Sequence, residues 1–123
     1  MRQPARRGAT LEEFWSIPED LRFHELVAGE LSEKAAPSGE HGGAQAVIVG
    51  AVLPAFQRKA GRGGPGGWWI ATEVEVLLEG GDVVRPDVVG WRRDRCPEQP
   101  TGMPIRLKPD WVCEVVSPSN ATD

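Results

Sequence analysis

The sequence predicts a mixed α/β domain in which helices flank a central mixed β-sheet. Three observations favour this class: a capped helix start near residue 10, helical spacing of apolar residues after residue 44, and three later apolar runs separated by turns. With 123 residues, of which 40% are hydrophobic and 26% charged, the chain has the size and balance of one globular domain. We therefore expect a single domain over residues 10–123, preceded by a mobile basic arm over residues 1–9.

The first half of the chain carries a short helix, a hairpin and a long helix. Thr10 is followed three residues later by Glu13, the pattern of a capping box at a helix start. Ala28-Gly29 separates two short runs between residues 22 and 34, which predicts a β-hairpin. Residues 44–60 should form the main helix, although Gly50 and Pro54 weaken its middle. Its expected buried face comprises Val47, Ile48, Ala51, Val52, Ala55 and Phe56.

The second half consists of three apolar runs that read as strands. They cover residues 68–78, 83–91 and 111–116, and glycine- or proline-rich turns separate them. In the first run Glu73 and Glu75 alternate with Val74 and Val76, which is the period of a strand. Ser117-Pro118 ends the third run, and a further helix is expected to begin there.

Composition excludes several functional classes. The two cysteines, Cys96 and Cys113, lack the spacing of a zinc site or a disulfide framework and suit a reducing cytoplasm. No apolar stretch approaches the roughly 20 residues of a membrane-spanning helix, so no membrane contact is expected. A net charge of -4 argues against a broadly basic nucleic-acid binder, but local basic groups and a cation held by acids would still face phosphate.

Two carboxylates interrupt apolar runs. Asp87 lies between valine pairs and follows Pro86, and Glu114 lies in the last run, which has the composition of a strand covered on both faces. A buried carboxylate requires a cation, hydrogen-bond donors or a proton. On neighbouring strands the two acids could hold Mg²⁺ or Mn²⁺. Alternatively, Asp87 pairs with Arg85 or Arg92, and Glu114 is a satisfied acid at the end of the sheet.

Pro86-Asp87, followed by Glu114 in a hydrophobic strand, resembles the PD-(D/E)XK nuclease motif. Four blocks extend the likeness over most of the chain: His24 to Leu31, Pro37-Ser38-Gly39-Glu40-His41, Arg85 to Val89, and Glu114 to Ser119. In this order and spacing the chain is similar to the bacterial Uma family of restriction endonucleases. The four blocks together are much more specific than the short nuclease motif alone.

The resemblance implies a restriction-endonuclease-like core that hydrolyses phosphodiester bonds of DNA with Mg²⁺ (or Mn²⁺). Asp87 and Glu114 would hold the metal, and the main-chain carbonyl of Val115 would complete its site. His41 matches the histidine of the second block and could bind phosphate, assist the attacking water or hydrogen-bond a metal ligand. A homodimer is expected because many DNA-cutting proteins pair. Substrate phosphates are expected at Arg58, Arg62 and Arg92.

The chain departs from the family pattern at the lysine that orients the attacking water. The position two after Glu114 is Val116, and the family places the lysine further on, in the helix after Ser-Pro-Ser; the chain reaches Asp123 without one. We therefore expect a chain truncated at its C-terminus. A catalytically inactive module that keeps the nuclease fold and binds nucleic acid or protein, and an inactive fragment, remain the alternatives to a nuclease.

Overall fold

The structure is a computed structural model that describes residues 5–61 and 65–116. Its elements in chain order are α1 (Leu11–Ser16), β1 (His24–Val27), β2 (Glu30–Glu33), α2 (Gly39–Phe56), β3 (Trp68–Ala71), β4 (Val76–Leu77), β5 (Val83–Val84), β6 (Val88–Arg92) and β7 (Trp111–Cys113). None of the helices in these described ranges is long and apolar enough to cross a membrane.

The chain forms two compact units, each built from three segments. Unit 1 contains Met1–Ala36, Val74–Arg85 and Thr101–Lys108, and unit 2 contains Pro37–Glu73, Pro86–Pro100 and Pro109–Asp123. Unit 1 carries a four-stranded antiparallel sheet of order β2-β1-β5-β4, and unit 2 carries a three-stranded antiparallel sheet of order β3-β6-β7. The described strands therefore form two sheets where one was expected, and the single domain over 10–123 stays a prediction.

Unit 1 begins with the predicted capped helix and hairpin. The Thr10 side chain accepts a hydrogen bond from the Glu13 amide, and the Glu13 carboxylate accepts one from the Thr10 amide, which completes the capping box. Residues 5–9 of the predicted arm are attached to the hairpin, because Arg6 exchanges two main-chain hydrogen bonds with Leu31. Residues 1–4 lie outside the described part. The core of this unit contains Ala9, Phe14, Leu26 and Val83.

Two of the three predicted strands are each divided. The run 68–78 becomes β3 and β4, which belong to different sheets, and the run 83–91 becomes β5 and β6. Pro86 lies at the second division and has no amide hydrogen for a strand ladder. Glu73 lies at the first division, between β3 and β4, and has a left-handed φ of 54°. Its amide donates a hydrogen bond to the Pro86 carbonyl at 2.9 Å. The alternation of residues 68–78 contains no sign of the first division, whereas Pro86 marks the second.

Unit 2 places α2 on the edge strand β3 and β6 in the middle of its sheet. Helix α2 begins at Gly39, five residues before the predicted start, because the Ser38 side chain caps it by accepting from the His41 amide at 3.1 Å. The helix continues through Gly50 and Pro54 to Phe56. In β6, Val88 to Trp91 are all buried, as expected for a central strand covered on both faces.

The buried face of α2 differs in part from the predicted one. Val47 is 73% exposed and Ala51 is also exposed, whereas Ile48, Val52, Ala55 and Phe56 are half-buried. The inward face includes two polar residues, His41 and Gln45, and continues to Ile48, Val52 and Phe56. This face therefore joins a polar end near Asp87 to an apolar end near β3.

Candidate metal centre

Asp87 is the most enclosed of the predicted site residues. It directly precedes β6 and is only 2% exposed. Its Oδ2 accepts a hydrogen bond from the Val115 amide at 2.7 Å, and its Oδ1 lies 3.2 Å from Nε2 of His41. The sequence prediction that Asp87 is buried and needs polar partners is confirmed. The two contacts hold the carboxylate against the end of β7 and the first turn of α2.

Glu114 follows the last residue of β7, and the strand register relates it to Asp87. The β6–β7 ladder ends at the pair Val88 and Cys113, so Asp87 and Glu114 are the next residues beyond its end on the two segments. The expected burial of Glu114 is wrong, however. It is exposed, as are Val112 and Val116, because β7 is an edge strand with an uncovered face.

His41 contacts the carboxylate of Asp87 directly. It occupies the third position of α2, and its side chain is 18% exposed. The cap on Ser38 fixes the start of the helix, which directs the imidazole toward Asp87. Of the three roles considered for this histidine, hydrogen bonding to a predicted metal ligand is the one that this contact provides.

The donor atoms around Asp87 suit a hard divalent cation. Among residues 5–61 and 65–116, no group of three or more histidine, cysteine, aspartate or glutamate side chains could hold a metal. The predicted set is of another kind: the carboxylates of Asp87 and Glu114 and the carbonyl oxygen of Val115. Mg²⁺ commonly binds one or two carboxylates and keeps water or substrate phosphate in its other positions. The residues present therefore fit Mg²⁺ in donor chemistry.

The arginines considered as alternative partners of Asp87 have acidic neighbours of their own. Arg92 Nη2 lies 3.2 Å from Asp94 Oδ2, and Arg85 Nη2 lies 3.8 Å from Glu75 Oε2. The Arg85 amide also donates to Glu25 Oε2 at 2.7 Å.

Two of the predicted phosphate contacts lie near a basic groove in unit 2. The groove has a volume of about 550 Å³, and its lining includes Lys59, Arg92 and Arg93. Arg93 is held by its stacking on Trp69, with 3.7 Å between its Cζ and the ring centroid, whereas the Arg92 side chain is 57% exposed. Arg58 directly precedes Lys59. Arg62 lies outside the described residues.

Gly66 brings the end of α2 close to this groove. Its φ is 55°, and a Cβ atom at this position would lie 2.5 Å from the Lys59 carbonyl oxygen. A residue with a side chain would therefore clash with the backbone. The glycines of the predicted loop allow a close approach that keeps Lys59 beside Arg92.

Two further residues of the site were missed in the sequence. Gln45 Nε2 donates to the Asp87 carbonyl at 2.8 Å and to Glu73 Oε2 at 3.2 Å. Gln45 lies one helical turn after His41 among apolar residues, and a polar residue on an apolar helix face was an available signal. Glu73 was interpreted as one of the alternating residues of a strand. Its left-handed backbone leaves no local signal in the sequence.

The comparison with protein families gives one match. Residues 11–123 match the Uma2 family, which is described as "Putative restriction endonuclease". The match covers more than half of the chain and includes all three predicted metal ligands and His41. No match was found among curated proteins.

The fold is similar to that of a solved structure from Anabaena variabilis ATCC 29413, described as a "putative nuclease belonging to DUF820". The TM-score is 0.71 at 23% sequence identity, and the alignment covers 89% of the present chain and 59% of the other. The chain thus spans about three-fifths of the length of that relative. This likeness confirms the predicted restriction-endonuclease-like fold class.

Proposed function

The chain belongs to the Uma2 family, and from this premise we propose that it carries the metal-binding part of a Mg²⁺-dependent endonuclease that hydrolyses DNA phosphodiester bonds. The single observation that supports the proposal best is the arrangement at Asp87. A carboxylate that is 2% exposed accepts a hydrogen bond from the Val115 amide and contacts His41, and Val115 directly follows Glu114 in the chain. Burial of an acid among polar partners at a strand end is typical of functional sites.

In this proposal Asp87, Glu114 and the Val115 carbonyl hold the divalent ion. When bound, the ion polarises a phosphoryl oxygen and stabilises negative charge on the leaving oxygen. The hydrogen bond from Val115 and the contact from His41 keep the Asp87 carboxylate oriented without further reorganisation. His41 is also close enough to the ligand set to orient a water or a phosphate oxygen.

The basic groove contributes contacts to the DNA backbone. Arg92 extends from it with a side chain that is 57% exposed, and Lys59 lines the same groove. Contacts of this kind determine position on the duplex and carry no sequence information. Arg58 and Arg62 are assigned to the same proposed surface because they lie close to Lys59 in the sequence. Pairing of two copies into a homodimer and a cytoplasmic location remain predictions.

A catalytically inactive binding module is the second candidate function. It is favoured by the absence of a metal-holding group of three acidic, histidine or cysteine side chains in residues 5–61 and 65–116, and by the net charge of -4. Such a module would keep the basic groove and bind nucleic acid without cutting it. Persistent DNA binding in chelator together with no cleavage is its signature.

A plasmid-nicking assay with the whole chain separates the two candidates. Supercoiled DNA is incubated with Mg²⁺, with Mn²⁺ or with chelator, and the variants are Asp87→Asn, Glu114→Gln and a control, Glu79→Gln, which changes an exposed acid of unit 1. The nuclease proposal expects metal-dependent nicking that Asp87→Asn and Glu114→Gln abolish and Glu79→Gln leaves unchanged. Nicking by Asp87→Asn at the unaltered rate would overturn the assignment.

A further inference from the structure

Gln45 is the buried residue of α2, and it is polar. It is 9% exposed and lies one turn after His41 on the inward face of the helix. A primary amide removed from water without hydrogen bonds would destabilise the fold. An aliphatic side chain at this position would have continued the apolar face that Ile48 and Val52 form. The amide therefore has a role that an apolar residue would not fill.

The two hydrogen atoms of the Gln45 amide nitrogen have acceptors on two different segments. The Asp87 carbonyl oxygen lies 2.8 Å from Nε2, and Glu73 Oε2 lies 3.2 Å from it. The first acceptor precedes β6, and the second follows β3. The Glu73 amide also donates to the Pro86 carbonyl at 2.9 Å, so the same two segments are joined twice.

The Gln45 amide contacts the main chain of Asp87, whereas the side chain of Asp87 has other partners. Gln45 holds the carbonyl, and His41 and Val115 contact the two carboxylate oxygens. Asp87 lies outside the ladder of β6, which begins at Val88. Its main chain is therefore held by the glutamine and by the Pro86 linkage where the regular strand has not yet begun.

We propose that Gln45 is a positioning residue, which holds the main chain of Asp87 so that its carboxylate stays directed at the metal; this inference rests on the proposed function. Without the amide, the Asp87 carbonyl and the Glu73 carboxylate lose a common donor, and the segment before β6 is held by fewer hydrogen bonds. Partners that orient a metal ligand typically contribute about 10- to 100-fold to metal affinity.

The test compares Gln45→Met with a matched control, Gln57→Met. Methionine keeps the length of the side chain and removes its hydrogen bonds. Gln57 lies at the C-cap of the same helix, where its Oε1 accepts from the Ile70 amide at 2.7 Å, away from Asp87 in the sequence and in the sheet. A second variant, Gln45→Leu, also removes both hydrogen bonds and continues the apolar face of Ile48 and Val52, and it serves if the methionine variant does not fold.

Two measurements are made on each folded variant. Calorimetric titration with Mn²⁺ gives the metal affinity, and amide hydrogen exchange of Val115 in metal-free buffer reports how firmly the Asp87 carboxylate holds that amide. Denaturant unfolding of the same samples corrects the exchange rates for any change in global stability. The exchange measurement does not depend on metal binding or on nuclease activity.

The proposal expects Gln45→Met to weaken Mn²⁺ binding by about 10- to 100-fold and to accelerate Val115 exchange, while Gln57→Met changes neither beyond its effect on stability. Equal behaviour of the two variants in both measurements would overturn it. If the unaltered chain binds no Mn²⁺, the metal-dependent function fails. Faster exchange in Gln45→Met would then still support the positioning of Asp87, and unchanged exchange would refute it.

Discussion

Oδ2 of Asp87 accepts a hydrogen bond from the main-chain amide of Val115 at 2.7 Å. This bond joins the residue before β6 to the second residue after β7, just beyond the last ladder pair, Val88 and Cys113. The carbonyl proposed to bind metal belongs to the same residue whose amide orients the metal-binding carboxylate. A change at Asp87 is therefore expected to alter the position of Val115, and a change at Val115 is expected to alter that of Asp87.

Replacement of His41 should weaken the site without unfolding the protein. His41→Ala removes the imidazole that lies 3.2 Å from Asp87 Oδ1, so we expect the apparent Mg²⁺ requirement to rise and the nicking rate to fall by about 10²-fold. The measurement is the nicking rate as a function of Mg²⁺ concentration. His24→Ala, which changes the other histidine of the chain, is the control. Equal Mg²⁺ requirements in the two variants would exclude a role for His41.

Removal of the Arg92 charge should weaken DNA binding in a salt-dependent way. The Arg92 side chain is 57% exposed beside the basic groove, and one lost phosphate contact lowers the slope of log affinity against log salt by about 1. We expect this change for Arg92→Gln, measured by fluorescence anisotropy with a labelled duplex in chelator. Arg106→Gln, an exposed arginine of unit 1, should leave the slope unaltered. An unchanged slope in Arg92→Gln would contradict the phosphate contact.

Features set by neighbouring residues could be predicted from the sequence. The capping box of Thr10 and Glu13 and the hairpin turn at Ala28-Gly29 follow from residues close together in the chain. The burial of Asp87 was predicted from its apolar neighbours, whereas its partners His41 and Val115 are distant in the chain. The start of α2 was misplaced because two glycines after His41 resemble a loop, whereas Ser38 caps the helix before them. Sequence rules for helix caps and hairpin turns predicted the structure correctly where hydrogen bonds between neighbouring residues determine it.

Features set by distant residues could not be predicted. Glu75 alternates with apolar neighbours like a solvent-facing strand residue, yet it is 2% exposed because Arg22, far away in the chain, pairs with it. The exposure of Glu114 depends on β7 being an edge strand, which its apolar composition conceals. The hydrogen bonds of Gln45 likewise reach residues distant in sequence.

The hairpin turn offers a stabilising substitution. Ala28 has a φ of 51° and Gly29 a φ of 77°, so both central residues occupy the left-handed region. Asparagine tolerates this conformation better than alanine, and Asn-Gly is a preferred pair for such turns. Ala28→Asn should increase the free energy of unfolding by about 0.5–1 kcal/mol, measured by urea titration. Ala36→Asn, in an exposed loop, should change it little, and a stability gain confined to Ala36→Asn would contradict the argument.

The ion pair between Arg22 and Glu75 supplies the largest expected loss of stability. Arg22 Nε and Nη2 donate to the two carboxylate oxygens of Glu75 at 2.7 and 2.8 Å, and these hydrogen bonds raise the pKa of Arg22 above its ordinary value. Arg22→Met would leave a carboxylate buried without this partner, so we expect the free energy of unfolding to fall by about 3–5 kcal/mol.

Urea unfolding measures this loss, and the surface pair of Arg7 and Glu30 provides the control. Its nitrogen and oxygen lie 3.6 Å apart, and the Arg7 side chain is 90% exposed, so Arg7→Gln should cost less than about 1 kcal/mol. Adding Glu75→Leu to Arg22→Met removes the buried carboxylate that has lost both hydrogen bonds from Arg22, and it should recover part of the stability. If Arg22→Met is no less stable than Arg7→Gln, the buried pair does not stabilise unit 1.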